Sequence, residues 1–101
     1  MKRLENKIAV VTGASTGIGR GSAMVLASEG AHVLALDISD ELDNTVQEIN
    51  DAGGQATAYK VDISDDQQVQ QFADEAKEKY GCIDVISVSY THLTLPTILL
   101  V

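Results

Sequence analysis

The chain has no tryptophan, one phenylalanine, one proline and one cysteine among its 101 residues. A lone cysteine, Cys82, closes no internal disulfide, which excludes a disulfide-stapled secreted scaffold and fits a reducing, cytoplasmic compartment. Basic residues are also scarce, with seven Lys and Arg against fifteen Asp and Glu, a net charge of −8 and a pI near 4.4. Such a surface repels phosphate backbones and anionic lipid, so neither nucleic acid nor a membrane is an expected partner. Long apolar runs are missing too. The run Ile8-Ala9-Val10-Val11 stops at Thr12-Gly13, short of a signal-peptide core, and nothing approaches the ~20 apolar residues of a membrane span. His32 and His92 have no ligand cluster around them, so no metal site is expected. What remains is 45% hydrophobic and 22% charged, the composition of one small globular domain.

Ile8-Ala9-Val10-Val11-Thr12 is a β-branched run without polar alternation, as in a strand covered on both faces. A glycine-rich stretch follows, and then Ile18, Val25 and Leu26 recur at helical spacing up to Gly30, which suits a positive-φ position past a helix end. Residues 32–36 read as a second buried strand ended by Asp37. Ser39 or Asp40 suits the cap of a helix carrying Leu42, Val46 and Ile49 and stopped by Gly53-Gly54. Residues 56–61 read as a third strand. Ser64-Asp65-Asp66-Gln67 is a capping box for a helix whose apolar face is Val69, Phe72, Ala73, Ala76 and Tyr80. Gly81 closes it, and Ile83-Asp84-Val85-Ile86 starts a fourth strand. The order β-α-β-α-β-α-β predicts right-handed crossovers and a parallel, doubly wound α/β sheet of the Rossmann type, broken off after about four strands.

Chemistry concentrates in Thr12-Gly13-Ala14-Ser15-Thr16-Gly17-Ile18-Gly19, between the first strand and the first helix. Backbone N–H groups at a helix start attract an anion, and glycines let a pyrophosphate approach the main chain. Asp37 lies eighteen residues beyond Gly19, at the end of the second strand, where an acid accepts both hydroxyls of an adenosine ribose. A ligand-free structural turn is the plainer alternative. No Gly-Lys-Ser/Thr follows, which excludes a P-loop. The acids of the third helix, among them Asp65, Asp66 and Glu78, read as a solvated face.

The spacing GxxxGxG within TGASTGIG resembles the cofactor motif of the classical short-chain dehydrogenase/reductase family. Asp37-Ile38 resembles that family's ribose pair, and Asp62-Ile63 within Val61-Asp62-Ile63-Ser64 resembles its adenine-side acid. The resemblance runs from Leu4 to about Ile86 and implies a dinucleotide site. Gly13, Ser15, Thr16, Gly17, Ile18 and Gly19 would line the pyrophosphate and adenosine side, Asp37 and Ile38 the ribose, and Asp62 and Ile63 the adenine. It implies hydride transfer between a nicotinamide and a small alcohol or carbonyl substrate, in a full-length parent that is a homo-oligomer. Asp37, with no Lys or Arg at positions 38 or 39, favours NAD over NADP.

The departures are as informative. The family continues after its fourth strand with Asn-Asn-Ala-Gly, whereas this chain reads Ser87-Val88-Ser89-Tyr90-Thr91. The family's catalytic Ser, Tyr-x-x-x-Lys pair and helical Asn have no counterpart. Tyr59, Tyr80 and Tyr90 are followed four residues later by Ile63, Asp84 and Thr94, so no tyrosine has a lysine to lower its pKa, and no catalytic residue is assigned. Cys82 has no histidine beside it in sequence and reads as a small packed residue.

Residues 87–101 carry no acid or base and hold the only proline, Pro96. Residues 88–97 resemble one reading frame of a transposase-based sequencing adaptor, GTC TCT TAT ACA CAT CTG ACG CTG CCG ACG. The chain accordingly reads as a partial NAD-binding domain over 1–86 with an aberrant, non-native tail over 87–101, cut from a longer parent enzyme and itself inactive. A non-catalytic dinucleotide-binding module is the alternative. A third reading is a fragment left unstable by the exposed edge of its fourth strand.

Overall fold

Ile8–Thr12, four of whose five residues are β-branched, forms the central strand β1 and is almost wholly buried along its length. In the computed structural model, which describes residues 4–15, 17–81, 83–88 and 97–100, helix α1 (Gly17–Ser28) follows. Then come β2 (His32–Asp37), α2 (Leu42–Asp51), β3 (Gln55–Lys60), α3 (Asp66–Tyr80), β4 (Val85–Val88) and β5 (Thr97–Leu100). The sheet order is β3-β2-β1-β4-β5. Its first four strands are parallel, with Ala9 paired to Val33 on one side and to Val85 on the other. This is the α/β architecture expected from the alternation of strands and helices.

Alternate residues of β1 and β2 feed two separate apolar layers, which is why neither strand alternates with polar residues. Val11, Val33 and Ala35 meet Ala23 and Ala27 of α1 and Leu42 and Ile49 of α2. Val10, Leu34 and Leu36 meet Phe72 and Ala76 of α3 across the sheet. The helix α1 departs from expectation. Its buried face is Gly19, Ala23 and Ala27, while Ile18 and Val25 stand exposed. Small side chains let α1 lie close on the sheet, so the larger residues that marked the helix in the sequence turn outward.

Two helix caps also differ. Ser39 does not cap α2 directly; its Oγ accepts the Glu41 amide at 3.1 Å, closing a turn before the helix, and Glu41 at the N-cap makes no side-chain cap. In α3 the cap is Asp65, one residue past the expected Ser64, with Oδ1 accepting the amides of Gln67 and Gln68. Ser64 is diverted, its amide and hydroxyl both donating to Asp62.

The larger surprise is β5. The fourth strand is not the sheet's edge: Thr97–Leu100 pairs antiparallel with it, Ile86 opposite Leu99 and Val88 opposite Thr97. An open strand edge presents unpaired N–H and C=O groups to any extended segment nearby. By sequence this segment belongs to the tail, and no strand is expected there. Residues Thr16, Cys82, Tyr90 and His92, singled out in the sequence, lie outside the described residues.

Candidate functional site

Three chain reversals meet at the carboxyl ends of β1, β2 and β3, because a parallel sheet delivers all its strand ends to one side. Leaving β1, the chain turns at Gly13, whose φ of 62° an L side chain rarely adopts, and reaches Gly17 at φ 60°. The Ala14 amide donates to the Leu36 carbonyl at 3.2 Å, laying the turn against β2. On the far side, the Val61 amide donates to the Asp37 carbonyl at 3.2 Å, bringing the start of the 61–65 loop to the same place.

Gly19 explains the tightness of the turn. A Cβ built there would lie 1.9 Å from the Gly13 carbonyl oxygen, so no other residue fits without moving the backbone. Asp37 ties the pieces together. Its Oδ2 accepts the Ser15 amide at 3.1 Å, and its Oδ1 accepts the amides of Ile38 at 2.7 Å and Ser39 at 3.3 Å. Burial pushes the Asp37 carboxyl up, but the nearby Ser15 hydroxyl and these three amides outweigh it and hold the group below the ordinary carboxylate range. Proximity is all the hydroxyl supplies: Ser15 is 5% exposed and its Oγ makes no hydrogen bond of acceptable geometry.

Asp62 is turned into its own loop, where Oδ1 accepts from the Ser64 hydroxyl at 2.6 Å and from the Ser64 amide at 3.0 Å. Those two bonds hold its carboxyl below the usual value. Around the same edge stand three bare isoleucines: Ile18 is 43% exposed, Ile38 67% and Ile63 45%. Exposed isoleucine next to a polar cradle is apolar surface waiting for a flat or apolar partner.

The structure therefore brings together Gly13, Ser15, Gly17, Ile18, Gly19, Asp37, Ile38, Asp62 and Ile63, all expected from the sequence. An orphaned hydroxyl, a turn kept free of side chains at Gly13, Gly17 and Gly19 and an anchored carboxylate together fit a ribose and pyrophosphate. Two ion pairs beside the site were not foreseen. Arg20 pairs with Glu48, and Lys60 Nζ pairs with Asp40 Oδ1 at 2.7 Å. The partners are 28 and 20 residues apart, beyond any local sequence pattern. No cluster of three or more potential metal ligands occurs among the described residues. His32, by contrast, serves packing: its Nε2 lies 3.0 Å from Thr57 Oγ1 and its ring meets Tyr80 edge-on, at the opposite end of β2. No helix among the described residues is long and apolar enough to cross a membrane.

Comparison with known proteins agrees with this geometry. The uncharacterized oxidoreductase YxbG of Bacillus subtilis is 49% identical over 87 residues, which are 85% of this chain and 32% of that protein. A hydroxysteroid dehydrogenase from Escherichia coli superposes with a TM-score of 0.80 at 40% identity, over 85% of this chain and 37% of that one. A metagenomic short-chain oxidoreductase in complex with NADP gives a TM-score of 0.80 at 37% identity, over 82% of this chain and 38% of that one. The chain spans about a third of the length of the curated relatives it matches. The short chain dehydrogenase family model matches residues 7–92, and with these relatives it shows that the chain belongs to the short-chain dehydrogenase family.

Proposed function

We propose that this chain is the nucleotide-binding front of a cytoplasmic, NAD-preferring short-chain oxidoreductase acting on a small alcohol or carbonyl compound. The observation that carries the reading is Asp37, fixed by three backbone amides at the mouth of a glycine turn that cannot accept a Cβ at Gly19. The amides of the 13–19 turn would meet the pyrophosphate, and Asp37 the adenosine ribose. Ile38 and Ile63 would cover the adenine, with Asp62 at its rim. A bound nicotinamide supplies the hydride acceptor or donor. Asp37 orients the cofactor's far end, and its charge opposes a 2′-phosphate.

The chain carries no Tyr-x-x-x-Lys pair, so the proton transfer that accompanies hydride transfer belongs to the rest of a longer, homo-oligomeric parent. We take residues 1–86 as the partial cofactor domain and residues 87–101 as its tail, with β4 running on to Val88 and the family match to residue 92. The test is a calorimetric titration of the 101-residue chain with NAD and NADP. We expect NAD to bind, with NADP weaker by about ten- to a hundredfold, the size of one partly screened carboxylate–phosphate repulsion. Alcohol oxidation by the same preparation is expected to be undetectable. Absence of heat with either dinucleotide overturns the reading.

A further inference from the structure

A cleft of about 490 Å³ opens between α1 and α2, directly behind the glycine turn. Ser15, Arg20, Glu41, Thr45, Glu48 and Asp51 line it. Two buried polar atoms without a hydrogen-bond partner, Ser15 Oγ and Arg20 Nε, belong to these walls. Both are unspent donors, and Ser15, whose amide holds Asp37, is common to the cleft and to the proposed ribose anchor. By donor set alone, serine hydroxyl plus guanidinium is a phosphomonoester pocket. The charges say otherwise. Glu48 Oε2 bonds the Arg20 Nη2, and Glu41 and Asp51 add two further carboxylates, so acids outnumber the cation three to one. Thr45, wholly buried, donates to the Ser15 carbonyl at 3.4 Å and fixes α2 against the turn, so the two walls keep their spacing.

We infer that Glu48 is a second determinant of cofactor choice: by holding Arg20 on α2 it keeps the cleft closed to the 2′-phosphate of NADP, and releasing Arg20 opens a phosphate subsite there. The inference rests on the dinucleotide reading above and adds to Asp37 a residue from a different helix. Arg20 acts on the phosphate directly; Glu48 is a positioning residue that acts through it.

The experiment is calorimetric titration of the full chain and its variants with NAD and with NADP at low ionic strength. Glu48→Gln is expected to tighten NADP about fivefold or more while NAD changes less than about twofold. Glu78→Gln, the same charge change on α3 across the sheet, is expected to leave the NADP-to-NAD ratio where it was. Adding Arg20→Gln to Glu48→Gln is expected to return the ratio to the wild-type value. An unchanged ratio in Glu48→Gln, or a gain that survives loss of Arg20, overturns the assignment of Glu48 while NAD binding by the wild type leaves the dinucleotide reading standing. Binding of neither dinucleotide by the wild type overturns both.

Discussion

The amide of Ser15 donates to Oδ2 of Asp37 at 3.1 Å, so one carboxylate locks the turn after β1 to the end of β2. Asp37→Asn keeps the shape and weakens the lock, with an expected stability loss of about 1 kcal/mol by urea unfolding. Because the folded carboxyl is held below its ordinary 3.8, its stabilising share is present above that pH and disappears as pH falls through the lowered folded value. The acid limb of the pH–stability curve should therefore be shallower in Asp37→Asn than in the wild type. Superimposable limbs would show that Asp37 is not held as described.

Two glycines of α1 make a matched pair. A Cβ at Gly19 would meet the Gly13 carbonyl oxygen at 1.9 Å, whereas at Gly21 it would meet nothing within 4 Å. Gly19→Ala should cost about 2–3 kcal/mol and abolish dinucleotide binding. Gly21→Ala should gain about 0.5–1 kcal/mol from helix propensity alone. Thermal melts of the two variants should move in opposite directions; a common direction would refute the close approach of α1 to the turn.

The ring of His32 is harder to protonate than a free imidazole: partial burial, then the positive charge of Lys79, both lower its pKa from 6.5. The folded state thus takes up a proton less readily than the unfolded chain. Stability from this residue is present above about pH 6.5 and declines as pH falls below it. Around it stand Tyr80, Lys79 and, one ring further, Tyr59, whose phenol is pushed up by burial and by the Tyr80 hydroxyl. Raised as it is, Tyr59 does not change charge in that window. His32→Gln should flatten the melting temperature between pH 7.5 and 5.5, read by circular dichroism. A wild-type slope retained in the variant would assign it to another group.

The tail can be tested without protein. The codons for residues 88–97 are expected to spell GTC TCT TAT ACA CAT CTG ACG CTG CCG ACG base for base. Any other synonymous spelling restores residues 87–101 as genuine sequence, and with them the claim of β5 to be a native strand. Pairing of Thr97–Leu100 with β4 does not decide the matter, since an open edge accepts an extended segment by backbone bonds alone.

Much of this was legible because the signals were local. The buried runs 8–12 and 32–37 carry their own strand signature, and the turn between β1 and α1 announces itself through three glycines of which Gly13 and Gly17 have positive φ. Of the residues expected at the site, Ser15 and Asp37 are joined directly by a hydrogen bond, and Val61, next to Asp62, is tied to the Asp37 carbonyl. What the sequence hid was set by distance. The burial of α1 through Gly19, Ala23 and Ala27, not through Ile18 and Val25, follows from how near the sheet lies, which no helical period reveals. The clamps on Arg20 and Lys60 join residues brought side by side only by the fold. Asp65 displaced Ser64 as the α3 cap because the serine found a carboxylate at Asp62.

The central place of β1 has a consequence for how the molecule assembles. Ala9 pairs with Val33 and also with Val85, a partner 76 positions further along the chain. Closing the first contact costs little chain entropy, and closing the second costs more and is slower to find. On the ribosome, β1, β2 and β3 with α1 and α2 emerge early and include the glycine turn and Asp37. The other flank of β1 stays bare until the residues of β4 leave the exit tunnel. Every residue of the candidate dinucleotide corner is thus synthesised before β4, and a dinucleotide that bound the nascent chain would act on it as a folding ligand.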